Sequence, residues 1–354
     1  MNSKLKLSMA LIASLTLEAC GGGGGSTNTA SITPPPAVTP TTPTSPAYIS
    51  ANLQTSVPAL TYAQNSQEYP FVSGLNAVRK SIGLGLLAQN VSLDKAASNH
   101  VKYVTANSIS NGGTVDMAAL NSTYGVPNFH IEDPVKAGFT GVRVGDRVKF
   151  AGYGSDAAGE AGSYGTGAES LATLIATVYH RQSVLDQSSI DIGVAVASDS
   201  FGTTVVDMGL TGLGQHNASD FIGSYPSDKQ TLVPLFMSVE APNPFSDIAA
   251  TTQAAFSQAT SYPVSIIVAD SQSLSVTSFT ITEDGQTTAL PVRLLTSATD
   301  QRVLKNYAFV VGKAPFKPNT KYNVSFSGAI SGNPVTKTWS FTTASACRGF
   351  SSCN

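Results

Sequence analysis

Asn128 to Tyr153 reads NFHIEDPVKAGFTGVRVGDRVKFAGY, and Gly159 to Val196 reads GEAGSYGTGAESLATLIATVYHRQSVLDQSSIDIGVAV. These runs hold His130, Glu160, Glu169 and His180, two of the chain's four histidines with two carboxylates. In a chain with 12% charged residues such a set asks for an explanation. Leu171, Leu174, Ile175 and Val178 recur at helical spacing, so the pattern predicts a helix over 167–179. Ile190 to Val196 and Thr203 to Met208 alternate like strands of a hairpin. Glu169 falls in the first turn of that helix and His180 at its end. In an unbroken helix this separation is ~16 Å, so the two share a pocket only if the chain bends before His180 or a third group bridges them.

Upstream, Leu75, Val78 and Ile82 predict a helix from Tyr69 that stops at Gly83. Leu93, Ala97, Val101 and Val104 predict a second, running to Asn107. Downstream of Leu213 the pattern changes. Tyr262–Val268, Leu274–Ile281, Ala289–Leu295, Tyr307–Val311, Tyr322–Phe326 and Thr336–Thr343 are short β-rich runs separated by turn residues such as Glu283-Asp284-Gly285. The stretch Tyr225 to Phe245 supplies a first strand and connector. The expected fold class is α+β, an α/β/α sandwich followed by an all-β sandwich.

The N-terminal segment reads as an export signal. Lys4 and Lys6 precede an apolar run from Leu7 to Leu17, too short to span a bilayer, which reads as a cleaved signal. Leu17-Glu18-Ala19-Cys20 resembles the bacterial lipobox, in which the cysteine becomes the acylated first residue. Gly21 to Pro46 is a Gly/Pro/Thr tether that cannot bury a core. The chain has three cysteines; pairing Cys347 with Cys353 leaves Cys20 for lipid. That small loop would contribute roughly 2 kcal/mol. The expected organisation is 1–20 signal peptide, 21–48 tether, 49–213 first domain, 214–345 β-sandwich with connector, and 346–354 tail. A net charge of -2 without a basic stripe excludes nucleic acid as partner.

On chemistry alone, His130, His180, Glu160 and Glu169 have three readings. They could hold zinc or another divalent cation. They could form a carboxylate-supported acid/base pair. Or they could be a hydrogen-bonded cluster that braces the fold. Glu132 is a competing carboxylate two residues from His130. His100 sits on the apolar face of the second helix and reads as a packed core residue; His216 reads as solvated. Arg147 and Arg181 could neutralise the carboxylates, although an arginine beside a helix end is more often structural.

From Leu75 to Ala197 the sequence resembles the CAP family of cysteine-rich secretory proteins, antigen 5 and pathogenesis-related 1 proteins. The resemblance rests on Leu75-Asn76 with Arg79, Ala96-Ala97 with His100 and Tyr103, His130, Phe139-Thr140-Gly141, Asp146-Arg147, Ala151-Gly152-Tyr153, Gly159-Glu160, Tyr179-His180-Arg181 and Ile192-Gly193-Val194. The family's usual Gly-Glu-Asn is Gly159-Glu160-Ala161 here, and the tryptophan common in its third helix is absent, Trp339 being the only one. The resemblance implies that the family's cavity residues, two His and two Glu, fall on His130, Glu160, Glu169 and His180, and that some members hold zinc through the histidines. The C-terminal part resembles bacterial immunoglobulin-like modules through Pro318 to Val324 and the strand carrying Trp339. The expected function is a lipid-anchored cell-envelope module, secreted if Cys20 is not acylated. It would bind a protein, lipid or cell-wall ligand in a His/Glu cleft. The alternatives are a zinc-dependent hydrolase, with Glu160 or Glu169 as base, and a structural surface protein.

Overall fold

Helix α1 (Glu68–Ile82) starts with Pro70 inside its first turn, where a missing N–H costs nothing. It stops at Gly83, whose φ of 91° lets its N–H reach back to the carbonyls of Arg79 and Lys80. The chain then returns along the helix. Asn76 donates to Leu87 O at 2.9 Å and accepts from Leu87 N at 2.9 Å. Buried Arg79 donates from Nε to Gly85 O at 2.7 Å. This pins the short strand β1 (Ala88–Gln89) before α2 (Val91–Ser108). The computed structural model describes residues 48–108, 129–198 and 202–346, all within one compact unit. The segment expected to be a signal peptide, nearly all of the expected tether, Cys20, Cys347 and Cys353 lie outside the described residues.

Next come α3 (Val144–Ala151), β2 (Ala158–Ser163), α4 (Gly167–Ile175), α5 (Tyr179–Val184), β3 (Asp191–Val196) and β4 (Thr204–Gly209). The four strands make one sheet in the order β1-β3-β4-β2, with β1 parallel to β3 and the other pairings antiparallel. One face carries Val205 and Ala195 against Ala97, Val101 and Val104 of α2. Ala158 on the same face meets the α3 group of Val148, Ala151 and Tyr153. The other face carries Ile192, Val194, Val206 and Met208 against α1, α4 and α5. The result is three layers, α/β/α, and every residue of β4 is buried. Gly162 is required where it stands: a Cβ there would lie 2.0 Å from the Phe129 ring.

The predicted third helix is two helices. α4 ends at Ile175 and α5 begins at Tyr179, although Leu-Ile-Ala-Thr-Val-Tyr-His contains no glycine or proline. Buried Glu240, from beyond β4, accepts from Val178 N at 2.7 Å and Tyr179 N at 3.0 Å, and Ser238 N donates to Ala176 O. Those bonds satisfy backbone groups that a continuous helix would have kept for itself. The short helix α3 was not anticipated by the sequence reading.

The remaining elements are β5 (Ile222–Tyr225), β6 (Gln230–Val233), α6 (Gln253–Ala259), β7 (Val264–Val268), β8 (Leu274–Glu283), β9 (Val292–Thr296), β10 (Tyr307–Gly312), β11 (Lys321–Ile330) and β12 (Asn333–Thr343). The six expected β-rich runs coincide with β7 to β12. They form two four-stranded sheets, β5-β7-β10-β9 and β6-β12-β11-β8, antiparallel except where β6 joins β12. In β11 the burial alternates, as in a strand with one wet face. Strands β7 (VSIIV) and β10 (YAFVVG) are buried at every residue. Their sheet is covered on both sides, by the first domain on one and by the outer sheet with Phe279, Phe326 and Trp339 on the other.

The first of these contacts centres on Arg181. It donates from Nε to Ile175 O at 2.6 Å and from Nη1 to Pro263 O at 2.7 Å. Its guanidinium lies 5.0 Å from the centre of the Tyr225 ring and 4.9 Å from that of Tyr262. Gln182 donates to Arg302 O, Gln187 to Val268 O, and Tyr307 OH to Leu185 O. The α5 segment is thus a seam between the two regions.

Candidate functional site

A buried polar cluster lies on the α2/α3 face of the first sheet, where Glu160 from β2 and Asp207 from β4 sit directly opposite each other. Their neighbours come from three other elements. His100 comes from α2, His130 and Glu132 from the loop after it, and Arg147 from α3. Glu132, fully buried, holds that loop together. It accepts from Thr140 N at 2.5 Å and Gly141 N at 3.3 Å, and lies 2.9 Å from His100 Nδ1. His100 Nε2 lies 2.7 Å from Phe129 O and 3.6 Å from Glu160 Oε1.

Glu160 is the hub. His130 Nδ1 is 2.8 Å from Oε1, and Arg147 Nη2 donates to Oε2 at 2.5 Å. Arg147 also donates to His130 O at 3.0 Å, so the same cation fixes the backbone and the carboxylate that orient His130. Burial pushes the Glu160 carboxyl upward, but the charges of His100 and Arg147 and the bond from His130 outweigh it, holding the group well below the usual carboxylate range. Asp207 goes the other way. It is fully buried, no donor among the described residues is aimed at either oxygen, and its carboxyl lies within hydrogen-bonding reach of that of Glu160. Burial first, and then the charge of Glu160, raise its carboxyl well above 3.8. Two carboxyls side by side are thus driven to opposite protonation states.

Only His130 brings this cluster to solvent, with its side chain 42% exposed while that of Glu160 is 2% exposed. With Nδ1 committed to Glu160, Nε2 is the ring nitrogen not engaged by that carboxylate. Phe129 packs edge-on against both His130 and the half-exposed Tyr164 ring beside it, at 5.4 and 6.3 Å.

Of the four residues singled out in the sequence, the structure joins His130 to Glu160. Glu169 is the third residue of α4. There it accepts from Thr166 N at 2.9 Å while the Thr166 hydroxyl accepts from Glu169 N, a capping box that closes the helix end. His180 lies in the first turn of α5, its Nδ1 3.3 Å from Glu240 Oε2 without the alignment of a hydrogen bond. Neither shares a hydrogen bond or ion pair with the His130–Glu160 pair among the described residues. The bend before His180 does occur, and it turns that imidazole toward Glu240. Divalent-cation binding therefore meets a poor fit in this arrangement. Glu160 spends both oxygens on His130 and Arg147, and no group of three or more His, Cys, Asp or Glu side chains is arranged to hold a metal among the described residues.

His100, read as a packed core residue, is fully buried and belongs to the cluster. His216 bonds the Ser50 carbonyl at 3.1 Å. Arg147 neutralises a site carboxylate, whereas Arg181 is structural. Asp207 was not singled out. Its signal is legible in Thr203 to Met208, where one acid interrupts an otherwise apolar strand on the face that must be buried.

Residues 72–208 match the family model described as CAP: Cysteine-rich secretory protein family. This segment is a CAP domain. Solved structures similar to the chain include an extracellular protein containing a SCP domain from Bacillus anthracis, at 17% identity and a TM-score of 0.31, over 41% of this chain and 40% of that one. Another is an outer surface protein from Borrelia burgdorferi, at 13% identity and a TM-score of 0.27, over 43% of this chain and 97% of that one. The chain thus spans less than half the length of the first of these. No curated protein matches it. Together the CAP domain and the all-β region give the α+β class expected from the sequence.

A second feature borders β2 at the backbone of the cluster residue Glu160. A cavity of about 390 Å³ opens beside β2, between Ala158–Glu160, Ser183 of α5, Met208 and Leu210 at the end of β4, and Leu304 from the β9–β10 connection.

Proposed function

We propose that the chain is a cell-envelope binding module whose CAP domain engages its ligand through His130. The observation that carries this reading is the His130–Glu160–Arg147 chain. A half-exposed imidazole is held at one nitrogen by a buried carboxylate, which is itself held by a buried guanidinium. Such an imidazole has lost its rotational freedom before a ligand arrives, so binding costs less ordering. The polar tip sits beside the aromatic edge of Phe129 and Tyr164, a combination suited to a ligand with both apolar surface and hydrogen-bonding groups. Acylation at Cys20 would place the module on a membrane, with the Gly/Pro/Thr segment as spacer and an immunoglobulin-like sandwich as the second body. Radiolabelled palmitate incorporation, abolished by Cys20→Ala, tests the anchor.

The site reading is tested with purified peptidoglycan and with phospholipid vesicles, using the full chain and His130→Ala. Retention of the wild type on either probe, lost in a folded His130→Ala variant, supports it. Equal retention of both proteins, or retention of neither, overturns it. A carboxylate-oriented imidazole is also the geometry of a general base, which favours hydrolysis as the second reading. Release of soluble fragments from peptidoglycan, abolished by Glu160→Gln, would assign that activity.

A further inference from the structure

We propose that the free edge of β2 binds an extended peptide as an added strand, with one apolar side chain of that peptide entering the cavity beside it. This inference does not rest on the His130 reading.

Strand β2 is the last in the order β1-β3-β4-β2, so one side of it has no strand neighbour among the described residues. The direction of its backbone groups follows from register. Leu210 N donates to Ala157 O at 3.1 Å, which makes Ala157 and Leu210 a hydrogen-bonded pair. The pairs Gly159–Met208, Ala161–Val206 and Ser163–Thr204 follow two residues apart along the same ladder. Ala158, Glu160 and Gly162 therefore point their N–H and C=O groups away from β4. An exposed row of this kind is a template for another strand.

The cavity makes this edge different from an ordinary exposed one. It runs along Ala157 to Glu160, where two of the outward backbone sets, those of Ala158 and Glu160, lie. Gly159 between them is exposed, and a Cβ built there would meet nothing within 4 Å. Met208, Leu210 and Leu304 supply its apolar lining, and Ser183, Asp186 and Ser188 are among its polar lining residues. A volume of about 390 Å³ lies at the small end of known ligand pockets. Backbone pairing along an edge and a pocket for an alternate side chain are the two components of strand-addition recognition. A ligand without a repeating amide backbone would leave the outward groups of β2 unused, so peptide is the class the chemistry selects. Leu304 belongs to the all-β region, so the site is complete only when both regions are present.

The experiment uses the full chain. A phage-displayed library of random heptapeptides is selected on it, and the recovered sequences are made as fluorescein-labelled peptides for anisotropy titration. Ala158→Pro removes one outward N–H and leaves the β2–β4 ladder whole, since proline is tolerated on the free side of an edge strand. It should weaken binding by about tenfold or more. Leu304→Asp, remote from the strand, should weaken it comparably by placing a charge in the apolar wall. Amide exchange gives the strictest reading. Bound peptide should newly protect Ala158, Glu160 and Gly162, alternating with Gly159 and Ala161, already protected by β4. The proposal is overturned if the selection yields no binder. It is also overturned if selected peptides bind Leu304→Asp as tightly as the wild type, or if their binding leaves those three amides unprotected. Peptide binding unaffected by His130→Ala would separate this site from the His130 mouth.

Discussion

Asp207→Asn gives the sharpest test of the buried cluster. The wild-type carboxyl is fully buried against that of Glu160, with no donor aimed at it among the described residues, and its pKa is raised well above 3.8. The native state therefore retains a proton that the unfolded state gives up as pH rises past about 4. Stability follows the difference in bound protons, so this group's contribution is fully present below pH 3.8 and is lost as pH climbs toward the native pKa. The loss is up to about 1.4 kcal/mol per pH unit. Asparagine keeps the shape and carries no titrating proton. The stability of Asp207→Asn minus that of the wild type should therefore rise as pH climbs above about 4, with a limiting slope of about 1.4 kcal/mol per pH unit, and level off once the native carboxyl ionises. Urea unfolding followed by circular dichroism at closely spaced pH values reads this difference directly. The absolute offset is immaterial, because the amide also changes the contact with Glu160; the slope carries the test. A difference that stays flat, or that falls with pH, would mean that Asp207 is ionised in the fold and would refute the assignment.

Three further outcomes follow from the seams of the structure. Arg181→Ala strands two buried carbonyls and removes the cation from between Tyr225 and Tyr262. It should cost about 4 kcal/mol by urea unfolding, with Arg181→Lys restoring less than half. Thr166→Ala removes half of the α4 capping box and should cost about 1 kcal/mol in the same assay. Glu240→Gln weakens the charged acceptor at the α4–α5 break, so the amides of Val178 and Tyr179 should exchange about tenfold faster or more, while those at the centre of α1 stay unchanged.

The sequence by itself determined the elements whose own residues supply their reason. The α1 helix ends at Gly83 because glycine takes the left-handed conformation there, α2 follows the spacing of its apolar residues, and β7 to β12 lie within runs rich in β-branched and aromatic residues. It also marked His130 and Glu160, through their place in a recognisable series of motifs. What only the tertiary structure decided was how distant parts of the chain divide the polar groups among themselves. The 167–179 stretch reads as a continuous helix from its local pattern. It breaks because a carboxylate 62 residues further on takes the N–H of Val178. The same bend sets His180 beside that carboxylate, and Thr166 claims Glu169, so two of the four expected partners lie elsewhere. Asp207 joins the cluster because the β2–β4 register sets it across from Glu160, in a layer that water does not reach. Periodicity tells which face of a segment is buried; which buried groups meet depends on bonds between residues far apart in the chain, and these exist only once the layers have closed.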